Sequence, residues 1–324
     1  MDKPLVSFVV PCYNYGRYLP DCLDGIYGQA GGYDLEVIAI DDCSTDNTRE
    51  ILQSYVPRGL RVILHEINRG HIYTVNEGLR EARGKYVVRI DPDDRHRADF
   101  LATLVPLLEK HPDVGLAYSD VALIDGAGNL NASHCDSVHG GREYLGNELV
   151  EILQANFICA PTVIARREAW MQAWPVPEGL AFNDWYFNVM LARKWNFYYS
   201  PAVLAEYRVH GSNHHVKISA DGTEEKSVLR VLDLVYSGVE DNPELERVKQ
   251  GARGNIYAAQ YMDFGRKYFG AGNRAAARRC LWSALGWNPR RALREKAVRY
   301  LLASYLPRAW YDGAKVALKN VTSA

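Results

Sequence analysis

Three carboxylates fall within four residues at Asp91-Pro92-Asp93-Asp94, directly after the apolar run Tyr86, Val87, Val88 and Ile90. The run is rich in β-branched residues and reads as a buried strand. Pro92 fixes its φ and keeps a helix from starting among the acids. Carboxylates this close repel one another unless a cation neutralises them, and an oxygen-only set suits Mg2+ or Mn2+. In an open α/β sheet, ligands bind beyond the carboxyl ends of the strands. Asp and Pro are also ordinary turn residues, so this stretch alone leaves a solvated turn open.

The elements that must position these acids alternate in a regular way. Residues 5–10 read as an apolar strand that stops at Pro11-Cys12-Tyr13-Asn14, and a helix with Tyr18, Leu19, Cys22, Leu23 and Ile26 on one face follows. Residues 35–40 form a second strand running into Asp41-Asp42, and Ser44-Thr45-Asp46 caps the next helix. A third strand at 61–64 and a third helix at 70–82 precede the strand into the acidic cluster. A helix at 100–110 and a strand at 114–118 continue the series. Strand and helix alternating four times at short spacing predict a mostly parallel, Rossmann-like α/β sheet with helices on both faces.

From about residue 120 the pattern changes. A short strand at 121–124 and a polar loop at 131–142 read as an insertion over one face. Helices are expected at 145–155, 166–173 and 183–194, the last opened by the capping residues Asn183 and Asp184. A final strand at 198–207 ends in Arg208-Val209-His210.

The chain has 324 residues, 48% of them hydrophobic and 24% charged, as in ordinary soluble proteins of one and a half to two domains. Its net charge of −1 conceals an asymmetry. Residues 226–324 hold 18 Lys and Arg against 8 Asp and Glu, leaving 20 against 31 for residues 1–225. An acidic body and a basic tail suggest two jobs. The six cysteines are scattered without a C-x-x-C pair, which reads as reduced thiols in a cytoplasmic protein. No run reaches the roughly 18 apolar residues of a spanning helix, and the start of the chain reads as a strand instead of a leader. The expected protein is soluble or peripheral on the cytoplasmic face of a membrane.

Beyond residue 224 the sequence is helical and basic. Residues 258–291 match a 34-residue helix–turn–helix repeat of the TPR type by position, with Tyr261, Phe264, Gly265, Tyr268, Ala277, Leu281, Ala284 and Pro289 where that pattern asks for them. One such repeat cannot bury its own core, so it must pack on other helices, on the first domain or on another subunit. From Arg266 onward 13 Lys and Arg stand against Glu295 and Asp312, interspersed with Tyr305, Trp310, Tyr311 and several Leu. That mixture suits either a packed helix pair or a helix lying on a membrane surface over 290–324.

Five motifs stand in the order found in the inverting glycosyltransferases of family 2. Val9-Val10-Pro11-Cys12-Tyr13-Asn14 resembles their opening strand and Pro-x-Tyr-Asn, and Asp41-Asp42-Cys43-Ser44-Thr45-Asp46-Asn47-Thr48 resembles their Asp-Asp-x-Ser-x-Asp-x-Thr. Asn68, Gly70, Asn76 and Gly78, then Ala82 and Gly84, lead into Asp91-Pro92-Asp93-Asp94. The resemblance covers roughly residues 1–213 and not the basic tail. It implies a GT-A fold, followed here by an all-α region, in a glycosyltransferase of the bacterial polysaccharide or glycoconjugate type.

Site roles follow from that resemblance. Pro11, Tyr13, Asn14 and Asp42 are expected at the nucleotide base, where a carboxylate accepts the N3–H of uracil and rejects a base lacking it. Asp91 and Asp93 resemble the family's Asp-x-Asp, which serves the donor's ribose and its divalent metal, Mn2+ or Mg2+. Asp94 is either a metal ligand or its neighbour. Asp184 stands where the family has a Glu-Asp pair, about 90 residues after the metal motif, and is the expected general base; a plain helix cap is the competing role. Asn183 replaces the Glu and puts that residue's role in doubt. Arg208 and His210 resemble the Arg-x-His near the end of the GT-A domain, with Arg208 on the donor and His210 on the metal or the diphosphate.

The sequence therefore predicts a catalytic domain over 1–223, with a nucleotide-sugar half to about 119 and an acceptor half from 120, and a basic helical region over 224–324. The expected reaction moves a sugar from a nucleotide-sugar, UDP favoured, to a hydroxyl of a saccharide or lipid-linked saccharide. Homo-oligomerisation is left open, and no nucleic-acid module accompanies the basic tail. The missing Gly-rich phosphate loop argues against a nucleotidyltransferase, and no G-x-G-x-x-G or P-loop motif follows any strand. The rival non-enzyme reading is a degenerate relative acting as a scaffold; the complete acidic motif and Asp184 argue against it.

Overall fold

The computed structural model describes residues 5–210 and 222–306. β1 (Val6–Cys12) is buried along its whole length, as an unbroken apolar run requires of a strand covered on both faces. After α1 (Leu19–Tyr27), β2 (Leu35–Asp41) pairs with it in parallel. α2 (Thr48–Tyr55) leads to β3 (Leu60–Leu64), parallel to β2, and α3 (His71–Glu81) leads to β4 (Tyr86–Arg89), parallel to β1. The acidic motif leaves β4. A short β5 (Arg95–His96) and α4 (Phe100–Lys110) follow it.

The second half of the sheet is mixed. β6 (Val114–Asp125) is one strand of 12 residues, where the sequence reads as two pieces. Ser119 and Asp120 interrupt the apolar run, but Asp120 is buried with its Oδ1 accepting the N–H of Val121 at 2.8 Å and of Cys135 at 2.9 Å. The insertion loop thus helps to satisfy Asp120, while Ser119 donates to the Asp120 carbonyl at 2.9 Å. β7 (Leu130–Ala132) and β8 (Tyr144–Gly146) lie within that insertion, followed by α5 (Leu149–Gln154). β9 (Val163–Arg166) runs antiparallel between β4 and β6 and was not legible as a strand. α6 (Arg167–Ala173), α7 (Asp184–Ala192) and β10 (Asn196–Val209) complete the layer, β10 parallel to β6 with register shifts around Pro201, whose missing N–H cannot join a ladder. The strand order is β3-β2-β1-β4-β9-β6-β10-β5, with β7 beside β6 and β8 beside β10. Phe8, Val10, Leu23, Val88, Phe100 and Leu104 belong to the core that holds α1 and α4 on the sheet.

Backbone contacts divide the chain into two compact units, residues 1–152 with 156–213, and 153–155 with 214–324. Within the second, α8 (Thr223–Ser237) is followed by α9 (Pro243–Gly270), α10 (Arg274–Trp287), α11 (Pro289–Arg294) and α12 (Ala297–Tyr305). α9 begins 15 residues before Ala258, so the repeat-like segment is the end of a longer helix and its partner. Gly265 permits their close approach, because a Cβ there would meet Leu281 at 2.9 Å. Met262, Leu281, Ala284, Ala292, Ala297 and Leu301 form one core, so neighbouring helices supply what a lone repeat lacks. Trp310, Tyr311 and the rest of the tail lie outside the described residues. Among the described residues no helix is long and apolar enough to cross a membrane.

Candidate active site

The carboxyl ends of β1 and β2 carry loops that are tied to one another. Asn14 has φ +60°, a geometry Asn tolerates better than most residues. Its N–H donates to Ser44 Oγ at 2.9 Å, and its Oδ1 accepts the Thr45 N–H at 2.7 Å. The side chain predicted at the nucleotide base is thus spent on pinning two loops together. Tyr13 beside it is 45% exposed, while Pro11 is buried in β1 opposite Ile40.

Asp41 and Asp42 divide their work. Asp41 takes the Arg49 Nε at 2.5 Å and the Ser44 N–H at 3.2 Å, and so braces the loop. Asp42 Oδ1 accepts the Arg69 N–H and faces His65 Nδ1, both at 2.7 Å, and Oδ2 accepts the Gly70 N–H at 2.8 Å. Gly70 has φ +87°, which a side chain would resist, so glycine is what brings that N–H to the carboxylate. Asp42 is only 3% exposed.

At the end of β4, Asp91 is ion-paired with Arg89. Asp93 Oδ2 lies 2.9 Å from His210 Nε2. Asp94 Oδ1 accepts the Arg208 N–H at 2.9 Å, while its Oδ2 is buried without a hydrogen-bond partner. Burial raises the Asp93 pKa to about 6, with Asp91 adding to the rise and His210 opposing it. Burial, then Asp93 and Asp91, push Asp94 well above the usual carboxylate range. Burial and their mutual repulsion leave Asp93 and Asp94 poorly compensated as carboxylates. Among the described residues no group of three or more His, Cys, Asp or Glu encloses a cation position. The Asp93–His210 pair and the orphaned Asp94 oxygen nevertheless fit a divalent cation in donor type and charge.

Arg208 stands behind this motif. It is 1% exposed; its Nε donates to the Asp93 carbonyl at 2.8 Å and an Nη donates to Asp21 Oδ2 at 2.9 Å. Its guanidinium lies 4.8 Å from the centre of the Tyr18 ring, and Tyr18 also stacks on His210 at 5.1 Å. The donor contact expected of Arg208 competes with these internal bonds. Tyr18, read from sequence as part of the apolar face of α1, instead orders both members of the Arg-x-His.

Asp184 opens α7 and accepts from Asn156 Nδ2 at 3.1 Å. No side-chain bond caps the helix from Asn183, whose Nδ2 instead lies 2.7 Å from His71 Nε2 while its Oδ1 is buried and unpartnered. Asp184 shares its surroundings with the acidic motif through Arg89. Burial opposes the charge of that guanidinium, but Asp91, Asp184 and Asp94 outweigh it and raise its pKa. Cys159 reports the same neighbourhood, its thiol pushed up by burial and then by Asp94 and Asp184. Asp91, Asp93, Asp94 and His210 thus stand together at the end of β4, and Asp184 lies within electrostatic reach of them through Arg89. Asp42 organises the loop at the end of β3. Arg89, Tyr18, His65 and Glu77 were missed as site residues; only Arg89 carried a signal, being a cation in an apolar strand that must find a buried partner.

A profile of glycosyl transferase family 2 matches residues 7–169. The chain is 40% identical over 101 residues to TuaG of Bacillus subtilis, which its name places provisionally among teichuronic acid biosynthesis glycosyltransferases. That match spans 31% of this chain and 40% of the Bacillus protein's own length. In three dimensions the chain is similar to S. aureus TarS 1–349 in complex with UDP-GlcNAc, at TM-score 0.59 and 18% identity over 97% of this chain and 92% of that one. It is likewise similar to the mannosyltransferase PcManGT of Pyrobaculum calidifontis in complex with GDP-Man and Mn2+, at TM-score 0.61 and 20% identity over 95% and 88%. These likenesses establish the GT-A fold.

Proposed function

Because this chain belongs to glycosyl transferase family 2, we propose that it moves a sugar from a nucleotide-sugar, UDP-linked in the first instance, to a hydroxyl of a saccharide or lipid-linked saccharide, with inversion at the anomeric carbon. The observation that carries this reading is the acidic motif at the end of β4, with Asp93 against His210 and Asp94 against the Arg208 N–H; Asp184, at the start of α7, lies within electrostatic reach of it through Arg89. An inverting transfer needs a base on one side of the sugar and charge neutralisation at the leaving diphosphate on the other.

Tyr13, exposed beside the pinned loops, offers a ring face to the base. Asp42 Oδ2 accepts one hydrogen from Gly70 and keeps a second lone pair for a base N–H. Asp93 and His210, with Asp94, would hold Mn2+ or Mg2+, and Asp91 would face the ribose. A bound metal supplies Lewis-acid stabilisation of the departing diphosphate. Arg208 acts through the motif, fixing the Asp93 and Asp94 backbone and carboxylate, and we read it as a positioning residue. Asp184 takes the proton of the acceptor hydroxyl as that oxygen attacks. Asn156 orients its carboxylate, and Asn183 anchors the start of α7 to His71 in place of the family's Glu.

The second unit bears on the acceptor's class. Arg290, Arg294 and Arg299 are exposed beside Leu293, Leu302 and Tyr305, a basic and apolar surface suited to anionic lipid headgroups. Peripheral attachment at the cytoplasmic face would bring the enzyme to a lipid-linked acceptor. The decisive experiment incubates the protein and Mn2+ with UDP-, dTDP- and GDP-sugars and measures nucleoside diphosphate release. Release above the buffer rate from one donor class, lost in Asp93→Asn, supports a transferase; no release from any of them supports the scaffold.

A further inference from the structure

The imidazole of His65, at the end of β3, is held between two carboxylates. Its Nδ1 is 2.7 Å from Asp42 Oδ1 and its Nε2 is 2.6 Å from Glu77 Oε2 on α3. A neutral imidazole has one N–H and one lone pair, so one of these carboxylates would face a lone pair; the imidazolium donates to both. The same Asp42 carboxylate holds the N–H groups of Arg69 and Gly70, and the Asp42 carbonyl accepts from Asn68 Nδ2 at 3.2 Å. One charged ring therefore ties β2, α3 and the loop of residues 66–70 together.

We propose that His65 is a positioning residue for the donor: as an imidazolium clamped between Asp42 and Glu77 it fixes the Asp42 carboxylate and its loop at the nucleotide edge, so that donor affinity, and not turnover, depends on its protonation. This rests on the reading of Asp42 as the base contact. The groups facing the ring are Asp42, just beyond β2, and Glu77 with its partner Arg80 at 3.3 Å and the edge of the Tyr73 ring at 5.6 Å from α3. Arg49 from α2 donates to the His65 carbonyl at 2.8 Å and also holds Asp41.

Burial disfavours the imidazolium, but the hydrogen bonds and charges of Asp42 and Glu77 outweigh it and raise the pKa above the ordinary histidine value. With a raised pKa, the clamp is complete below the ordinary value and is lost as pH rises through the folded one. Deprotonation leaves a lone pair against one carboxylate, and the Asp42 loop slackens.

The test measures UDP affinity by calorimetry with Mg2+ from pH 5.5 to 9, alongside the His65 imidazole titration by NMR and, for the best donor, kcat and KM at each pH. In the wild type, UDP should weaken about tenfold across the His65 titration while kcat follows a different profile. Glu77→Gln removes one of the two flanking carboxylates and should move both the NMR titration and the affinity midpoint down. His65→Gln should bind UDP weakly at all pH values with no such midpoint. UDP binding whose midpoint is unmoved by Glu77→Gln, or that persists unchanged in His65→Gln, overturns this proposal alone. No UDP binding at any pH overturns the donor reading and this proposal with it. Should His65→Gln fail to fold, the partly exposed Glu77 still gives the answer.

Discussion

The backbone N–H of Arg208 donates to Asp94 Oδ1 at 2.9 Å across a sequence separation of 114 residues. With the Arg208 Nε on the Asp93 carbonyl, this clasp joins the end of β10 to the acidic motif at the end of β4. The motif's geometry is thus set from the far side of the sheet.

Removing that guanidinium should cost both stability and donor binding. Arg208→Met removes the buried donor to the Asp93 carbonyl, at a cost of about 1–3 kcal/mol, while the half-exposed Asp21 keeps Arg95. Thermal melting should fall by several degrees and metal-dependent UDP affinity should weaken. Unchanged values of both would show the clasp to be dispensable.

Asp93→Asn should nearly abolish transfer. A neutral amide offers no charge against the cation and loses the charge-assisted bond to His210. Calorimetry with and without Mn2+ reads the effect directly: equal metal-dependent donor affinity in mutant and wild type would rule out a metal role for this carboxylate.

Asp184→Asn should separate binding from chemistry. The donor still binds, and kcat drops by roughly 10²–10⁴-fold, as for a lost general base. Near-normal turnover would reduce Asp184 to a helix terminus. NMR of the wild-type product should show an inverted anomeric centre, and retention would refute the in-line geometry.

Lys249, fully buried in α9, is held by Glu240 and Glu246, each at 2.8 Å. Lys249→Met removes the buried cation that faces Glu240 and should destabilise the second unit by about 3–5 kcal/mol. The hydrogen bond from Lys249, with others from the Glu240 N–H and Gln250, holds the Glu246 pKa at about 2. A depressed carboxylate contributes stability that is fully present above its unfolded value and is lost as pH falls through the folded one. Melting should therefore hold steady from pH 7 to about 5 and decline toward pH 2, with a smaller decline in Glu246→Gln. Equal acid sensitivity in the two proteins would exclude this source.

Anionic vesicles should bring the full-length protein down at low salt and release it at high salt, since each basic residue at such a surface is worth about 1 kcal/mol and is screened by ions. Deleting the chain from 290 is a poor control, because Ala292, Ala297 and Leu301 belong to the core of the second unit. Reversing Arg290, Arg294 and Arg299 to Glu keeps that core and should abolish sedimentation. Indifference of the unaltered protein to such vesicles would assign this surface to packing.

The sequence by itself determined the strand–helix alternation, the order of the motifs and the candidates Asp42, Asp91, Asp93, Asp94, Asp184 and His210. These are local properties: an apolar run has a period, and an acid at its end has a fixed position in the chain. Partners were another matter. Nothing near Asp42 in sequence announces that His65 and Glu77 will close on it, and nothing near Asn14 says that its amide will be spent on Thr45. β9 went unread because three apolar residues and an arginine give too short a pattern, and β6 was cut in two because Ser119 and Asp120 look like a break until the loop at Cys135 folds over Asp120. Which donors remain for a ligand and which are used internally is decided by contacts between residues tens to more than a hundred positions apart. Only the tertiary structure sets those contacts, because it brings the carboxyl ends of different strands to one edge, where each buried polar group must find a partner.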